Sequence, residues 1–309
     1  MAEGTWHEVT GQAYCRQPGI ATAEQVRAWQ KVTDTVHARG GSIVLQIMHS
    51  GRIGSRHIKP AGVRSVSASA IQAAGQIWTD AAGMQDHDMP VALTTEEVRA
   101  AIATHAAAAT RAIDAGFDGV ELHGTSGYLS MQFLSSSTNQ RTDEYGGDAA
   151  HRARFAAECL QAMSAAIGAD RVGLRLNPGN TYNDTSDEDS GATHAELMHQ
   201  AAQVGIAYLH VMRAPVPEID AFALAREHFG AALILNDGFD AQSAEAALQA
   251  GQGAAVSFAR PFIGNPDLVQ RMREGAPLAK FDRATLYTAG EKGYTDYPTL
   301  HALGHEQFA

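Results

Sequence analysis

Three side chains able to handle a carbonyl group lie within one short stretch of the chain. His123 follows the apolar run Gly119-Val-Glu-Leu122, with Ser126 three positions further on and Tyr128 five. An imidazole, a hydroxyl and a phenol at one strand exit can bind a carbonyl oxygen and deliver a proton. In a βα-barrel, residues just past the C-terminal ends of the strands face the active site. A lone histidine is more often structural, so the reading needs support from elsewhere in the chain.

Part of that support comes from polar residues inside otherwise apolar strands. Gln46 interrupts Ser42-Ile-Val-Leu-Gln-Ile-Met48, and Arg175 interrupts Val172-Gly-Leu-Arg-Leu176. A charge buried in such a strand is costly unless paired. The two residues are either a core amide and a structural ion pair, or the partners of a bound polar ring. Two later strand ends carry Asn236-Asp-Gly238 and Ala259-Arg260. Barrels often bind phosphate at that pair of loops, with a cation for charge and a glycine for close backbone approach. The plainer alternative is that these residues only turn the chain.

The elements that must position these groups follow a βα rhythm. A helix is predicted over Ala21–Gly40, with Thr22 as N-cap, Gln25 completing a capping box and Val26, Trp29, Val32, Thr33 and Val36 on its buried face. The strand Ser42–Met48 follows, its apolar run typical of a parallel strand covered on both faces. Residues 50–94 are a long polar and alanine-rich excursion, read as a cover over the active site. Helices are then predicted at Thr95–Gly116, Ala149–Ile167, Thr193–Val204, Glu218–Phe229, Ala241–Ala250 and Asp267–Glu274. Strands are predicted at Gly119–Leu122, Val172–Leu176, Ala207–Met212, Leu233–Asn236 and Ala254–Ala259.

The stretch from Gly119 to Leu134, continued by Asn139-Gln-Arg-Thr-Asp-Glu-Tyr-Gly-Gly147, resembles the Old Yellow Enzyme family of flavin-dependent ene-reductases. The resemblance runs from Glu3 to Leu300. It implies a (β/α)8 TIM barrel of the flavin oxidoreductase type, a single domain over residues 1–309 with 50–94 as its cover. It further implies bound FMN, NADPH or NADH as hydride donor, and a small α,β-unsaturated carbonyl compound as substrate. On this resemblance Gln46 and Arg175 meet the flavin ring and Gly4 approaches it. Asn236, Asp237, Gly238, Ala259 and Arg260 surround the phosphate. His123 and Ser126 hold the substrate carbonyl and Tyr128 protonates the α-carbon, while Met48 and Tyr287 line the substrate pocket.

Departures from the family pattern are also visible. Ser126 stands where relatives carry Asn or a second His, Met48 where they often carry Trp, and Asp237 and Ala259 where they carry glycines. The loop Asn177-Pro-Gly-Asn-Thr-Tyr-Asn-Asp184 is read as structural. Six complete strands are counted from Ser42 onward, against eight in a closed barrel. Residues like Ala2-Glu-Gly4 close the family's second strand, so the first strand, first helix and most of the second strand are expected to be missing, roughly 50 residues at the usual length of a βα unit. A misplaced start or a truncation is the favoured explanation. An inactive or flavin-free remnant, or another FMN barrel such as an oxidase or demethylase, remains open.

Composition bounds the partners. The formal charge of −11 argues against nucleic acid. Cys15 and Cys159 suit a reducing cytoplasm better than a disulfide framework, and two cysteines cannot build a four-cysteine iron–sulfur cluster. No apolar run approaches the ~18 residues a membrane helix needs, and no basic-then-apolar signal opens the chain. The histidines show no spacing that demands a metal.

Overall fold

A computed structural model describes residues 1–302 and divides them into two compact units, the first ending at Ile234 and the second beginning at Leu235. In the first unit, strands β1 (Thr5–Trp6), β2 (Val44–Met48), β3 (Gly119–His123), β4 (Val172–Leu176) and β5 (Tyr208–Met212) pair in chain order, all parallel. Strand β6 (Ala232–Asn236) crosses from the first unit into the second, which also holds β7 (Ala255–Ser257). The sheet thus opens with a short strand beyond the six predicted from Ser42 onward. The Ala2 amide already donates to the Val44 carbonyl, at 2.8 Å.

Helices α1 (Ala23–His37), α2 (Thr95–Asp114), α3 (Leu129–Leu134), α4 (Ala149–Ile167), α5 (Ser190–Val204) and α6 (Ala221–His228) alternate with the strands of the first unit. The capping box of α1 forms as predicted, with Thr22 and Gln25 satisfying each other's backbone amides. Its apolar face does not form as predicted. Only Thr33 is buried, and Val32 is 41% exposed. The reason is narrow packing: Thr33 Oγ1 donates to the Ala115 carbonyl at 2.7 Å and Trp29 meets Phe117 edge-on, so the valines are left on the rim of the contact. Helix α2 has the same N-terminal device in Thr94 and Glu97.

The excursion 50–94 is more ordered than its composition suggests. Residues Gln76–Thr79 and Gly83–Asp86 form an antiparallel hairpin, and Val66–Ser67 pairs with Val91–Ala92. Arg52, 1% exposed, ties the excursion to the loop after β4. Its guanidinium donates to the carbonyls of Ile71 (3.3 Å), Asn183 (3.0 Å) and Asp184. Lys59 Nζ donates to the Thr10 carbonyl at 2.7 Å and to Ser65 Oγ at 2.8 Å. Within the segment 139–147, Asn139 donates to the carbonyls of Phe133 and Tyr145, both at 2.7 Å, and Thr95 Oγ1 donates to Asp143 at 2.6 Å. That segment therefore braces the loop after α3 against the start of α2.

Among the described residues, no helix is long and apolar enough to cross a membrane and no cluster of three or more ligand-type side chains could hold a metal. Both cysteines are free thiols. In the second unit, α7 (Ala241–Gln249) links β6 to β7, and Arg260–Gly264 and α8 (Leu268–Glu274) follow.

Candidate active site

Strand register builds the site of the first unit. Gln46 is level with Glu121, Glu121 with Gly173, and Gly173 with Tyr208. One layer further along, His123 is level with Arg175 and Arg175 with His210. In parallel strands two residues of offset keep the same face, so these side chains stack in successive layers. Gly173 carries no side chain because the Tyr208 ring fills its place: a Cβ there would lie 2.2 Å from the ring.

The polar members of the layers hold one another. Gln46 Nε2 donates to Glu121 Oε1 at 2.7 Å, and the other carboxylate oxygen lies 2.9 Å from His210 Nδ1. Arg175 Nη1 lies 2.8 Å from His210 Nε2 and 3.1 Å from Nδ1, over the ring. Glu121 is fully buried. Burial pushes its carboxyl up, but the His210 contacts, the Gln46 amide and the Arg175 charge outweigh this and hold it below the usual range. Burial, then the Glu121 charge, drives the Tyr208 phenol well above its ordinary value.

His123 caps this stack at the exit of β3 and is 9% exposed. Burial, with the Arg175 cation close by, lowers it to about 4, so the ring is neutral at ordinary pH. The Thr125 amide donates to His123 Nδ1 at 3.5 Å, which leaves the proton on Nε2. The Tyr128 ring meets His123 edge-on, with centroids 5.0 Å apart. Tyr128 Oη is 2.8 Å from Tyr14 Oη.

Ser126 lies between them with a left-handed backbone (φ +58°), which a serine adopts at a cost. Its carbonyl accepts from Asn183 Nδ2 at 2.7 Å, so the loop after β4, read as structural, supports this turn. Gly4 packs against the stack: a Cβ there would come within 2.9 Å of Met48 Sδ and 3.6 Å of Gln46 Oε1. Met48 is buried. His123, Ser126, Tyr128, Gln46, Arg175, Gly4 and Met48 thus all belong to the first unit, on or beside the ends of β2, β3 and β4.

The remaining predicted residues belong to the second unit. Asn236 Nδ2 donates to Ser257 Oγ at 2.8 Å and to the Ser257 carbonyl at 3.1 Å, tying β6 to β7. Asp237 and Gly238 both have positive φ, +74° and +76°, which explains why the turn favours glycine or a short polar residue. Asp237 Oδ1 stands 3.8 Å from the Arg260 guanidinium. Ala259 and Arg260 are exposed, and Tyr287 is 88% exposed.

Sequence reasoning missed three residues. Glu121 and His210 carry the same signal that singled out Gln46 and Arg175, a polar side chain inside an apolar strand, and could have been found by it. Tyr14 lies in an irregular segment with no local signal; only the fold brings it to Tyr128.

The fold and these residues have close relatives. Residues 1–279 match the model of the NADH:flavin oxidoreductase / NADH oxidase family. The chain is 42% identical over 306 residues to a probable flavin mononucleotide-dependent alkene reductase of Leishmania infantum, covering 97% of this chain and 84% of the relative. It is 38% identical to 12-oxophytodienoate reductase 1 of Oryza sativa subsp. japonica, over 99% of this chain and 82% of that one. Among solved structures, morphinone reductase in complex with tetrahydroNAD superposes with a TM-score of 0.91 at 38% identity, over 96% of this chain and 84% of its own. The Old Yellow Enzyme homologue from Zymomonas mobilis gives the same TM-score and coverage at 36% identity. By sequence and by fold, this chain belongs to the NADH:flavin oxidoreductase / NADH oxidase family.

Proposed function

We propose that this protein is an FMN-dependent ene-reductase that uses NADPH or NADH to reduce the activated C=C bond of α,β-unsaturated carbonyl compounds. The observation that supports this best is the pairing of a neutral His123, protonated on Nε2, with the Tyr128 phenol at the exit of β3, His123 being level with Arg175 and one layer beyond Gln46. FMN, when bound, supplies the hydride.

The donor set suits that cofactor. Gln46 offers an amide and Arg175 a fixed cation, which favours negative charge gathering at the ring's pyrimidine edge. Gly4 leaves room for close approach, since a side chain there would already strike Met48. In the second unit Arg260 and the turn Asn236–Gly238, with Ala259, are the residues proposed for the phosphate. Asp237 counts against that role, because its carboxylate stands 3.8 Å from the Arg260 guanidinium and competes with a phosphate for it.

His123 donates from Nε2 to the substrate carbonyl. Because it stays neutral, it polarises the oxygen without losing its own proton. Ser126 is the second donor, a shorter one than an amide. Negative charge that develops on the oxygen is held by these two groups while Tyr128 gives its proton to the α-carbon. Tyr14, bonded to Tyr128 Oη, orients that phenol. Met48 forms a soft apolar wall.

An anaerobic mixing experiment tests the reading. FMN-loaded protein bleached with NADPH or NADH should regain its yellow absorbance when 2-cyclohexenone is added without air. If colour returns only on admitting oxygen, the protein is an oxidase and the proposal fails.

A further inference from the structure

The donor chemistry of the buried layer fixes more than the residues that face the cofactor. Arginine can only donate and an ionised carboxylate can only accept. His210 sits between the two: its ring donates from Nδ1 to Glu121, and the Arg175 guanidinium, 2.8 Å from Nε2 and 3.1 Å from Nδ1, packs against the ring face. The other oxygen of Glu121 takes the Gln46 amide N–H, which settles which end of that amide is the nitrogen. Gln46 Oε1 is then the end turned toward Gly4.

We infer that Glu121 and His210 are positioning residues: a buried Arg175–His210–Glu121–Gln46 relay sets the direction of the guanidinium and the sense of the amide, so that Gln46 presents an acceptor and Arg175 donors to the cofactor. This rests on the reading that Gln46 and Arg175 hold FMN. The match is chemical: the pyrimidine edge of a flavin carries one ring N–H flanked by carbonyl oxygens, which calls for an acceptor set among donors. A relay through a full carboxylate also explains why a charge is kept in a fully buried position.

The test is FMN binding to apoprotein, read from quenching of free FMN fluorescence, with circular dichroism and melting recorded for each variant. Glu121→Gln keeps the size but ends the strict acceptor, and should raise the dissociation constant about tenfold, as loss of an outer orienting partner commonly does. His210→Asn should do the same and decides the matter if the first variant does not fold. The double variant should bind no worse than the weaker single one, because both break one chain. Nitrogen-15 spectra should show His210 protonated on Nδ1. The relay is overturned if both variants bind FMN like the parent while Arg175→Met and Gln46→Ala weaken it. It is equally overturned if the two losses multiply, or if His210 Nδ1 carries no proton. If Arg175→Met and Gln46→Ala bind FMN normally, the cofactor reading itself fails, and the relay falls with it.

Discussion

His123, Tyr128 and Tyr14 illustrate what separates a reactive residue from its neighbours. Tyr128→Phe removes the proposed acid and should lower enone turnover about a hundredfold or more, the usual share of general acid catalysis. Tyr14→Phe leaves the acid in place and removes only its 2.8 Å partner, so about a tenfold loss is expected. Steady-state rates with 2-cyclohexenone compare the two, and equal losses would make Tyr14 more than an orienting group. At Ser126 two expectations meet. Asparagine tolerates the left-handed backbone better than serine, so Ser126→Asn should gain up to about 1 kcal/mol in urea unfolding. Its longer donor should also lower KM for the enone; an unchanged KM would remove Ser126 from the carbonyl site. His123, Ser126 and Tyr128 were legible from spacing because one strand exit gathers them. Glu121 and His210 stand out as polar residues in apolar strands, but their pairing was not legible, since they are 89 residues apart and meet only through strand register.

At the scale of elements, the parts of the chain with strong local signals form where the sequence puts them. Helix α4 and strand β4 match their predicted limits, and the predicted capping box of α1 forms, because caps and apolar periods act within a few residues. The hairpin in residues 50–94 was not legible, since each strand is four residues long and the large apolar Trp78 and Met84 lie exposed while Ile77 alone is a buried hydrophobic. Arg52 is the main tie. Arg52→Met would leave the half-buried carbonyls of Ile71 and Asn183 and the Asp184 carbonyl without their donor, at about 1–3 kcal/mol. A urea midpoint shifted down, together with faster proteolytic nicking between residues 50 and 94, would confirm the tie. Unchanged nicking would show that the excursion holds without it.

For the whole molecule, buried histidines set the pH response. His105 and His123 are pulled down to about 4 and His7 well below its ordinary 6.5, each first by burial. His7 packs 4.1 Å from the His105 ring and 5.7 Å from His49, so protons there would also repel one another. The unfolded chain takes up protons near 6.5 that the folded chain refuses until about 4. Stability should therefore fall as pH drops through that window, by at most about 1.4 kcal/mol per pH unit for each histidine. Melting temperatures from pH 7 down to 5 measure it, and His105→Gln should flatten the slope; a flat parent profile would contradict the burial. Histidine burial was not legible in the sequence, because nothing local distinguishes His105 on α2 from a solvated histidine. The βα order of the first unit was legible, and with it the family.

The central claim is that hydride reaches the β-carbon of an enone while Tyr128 protonates the α-carbon. Isotope placement tests it most directly. Reduction of 2-cyclohexenone with nicotinamide deuterated at the transferred position should put deuterium at the β-carbon, and reduction in D2O with unlabelled coenzyme should put it at the α-carbon. Deuterium from the coenzyme at the carbonyl carbon, giving an allylic alcohol, would contradict the account.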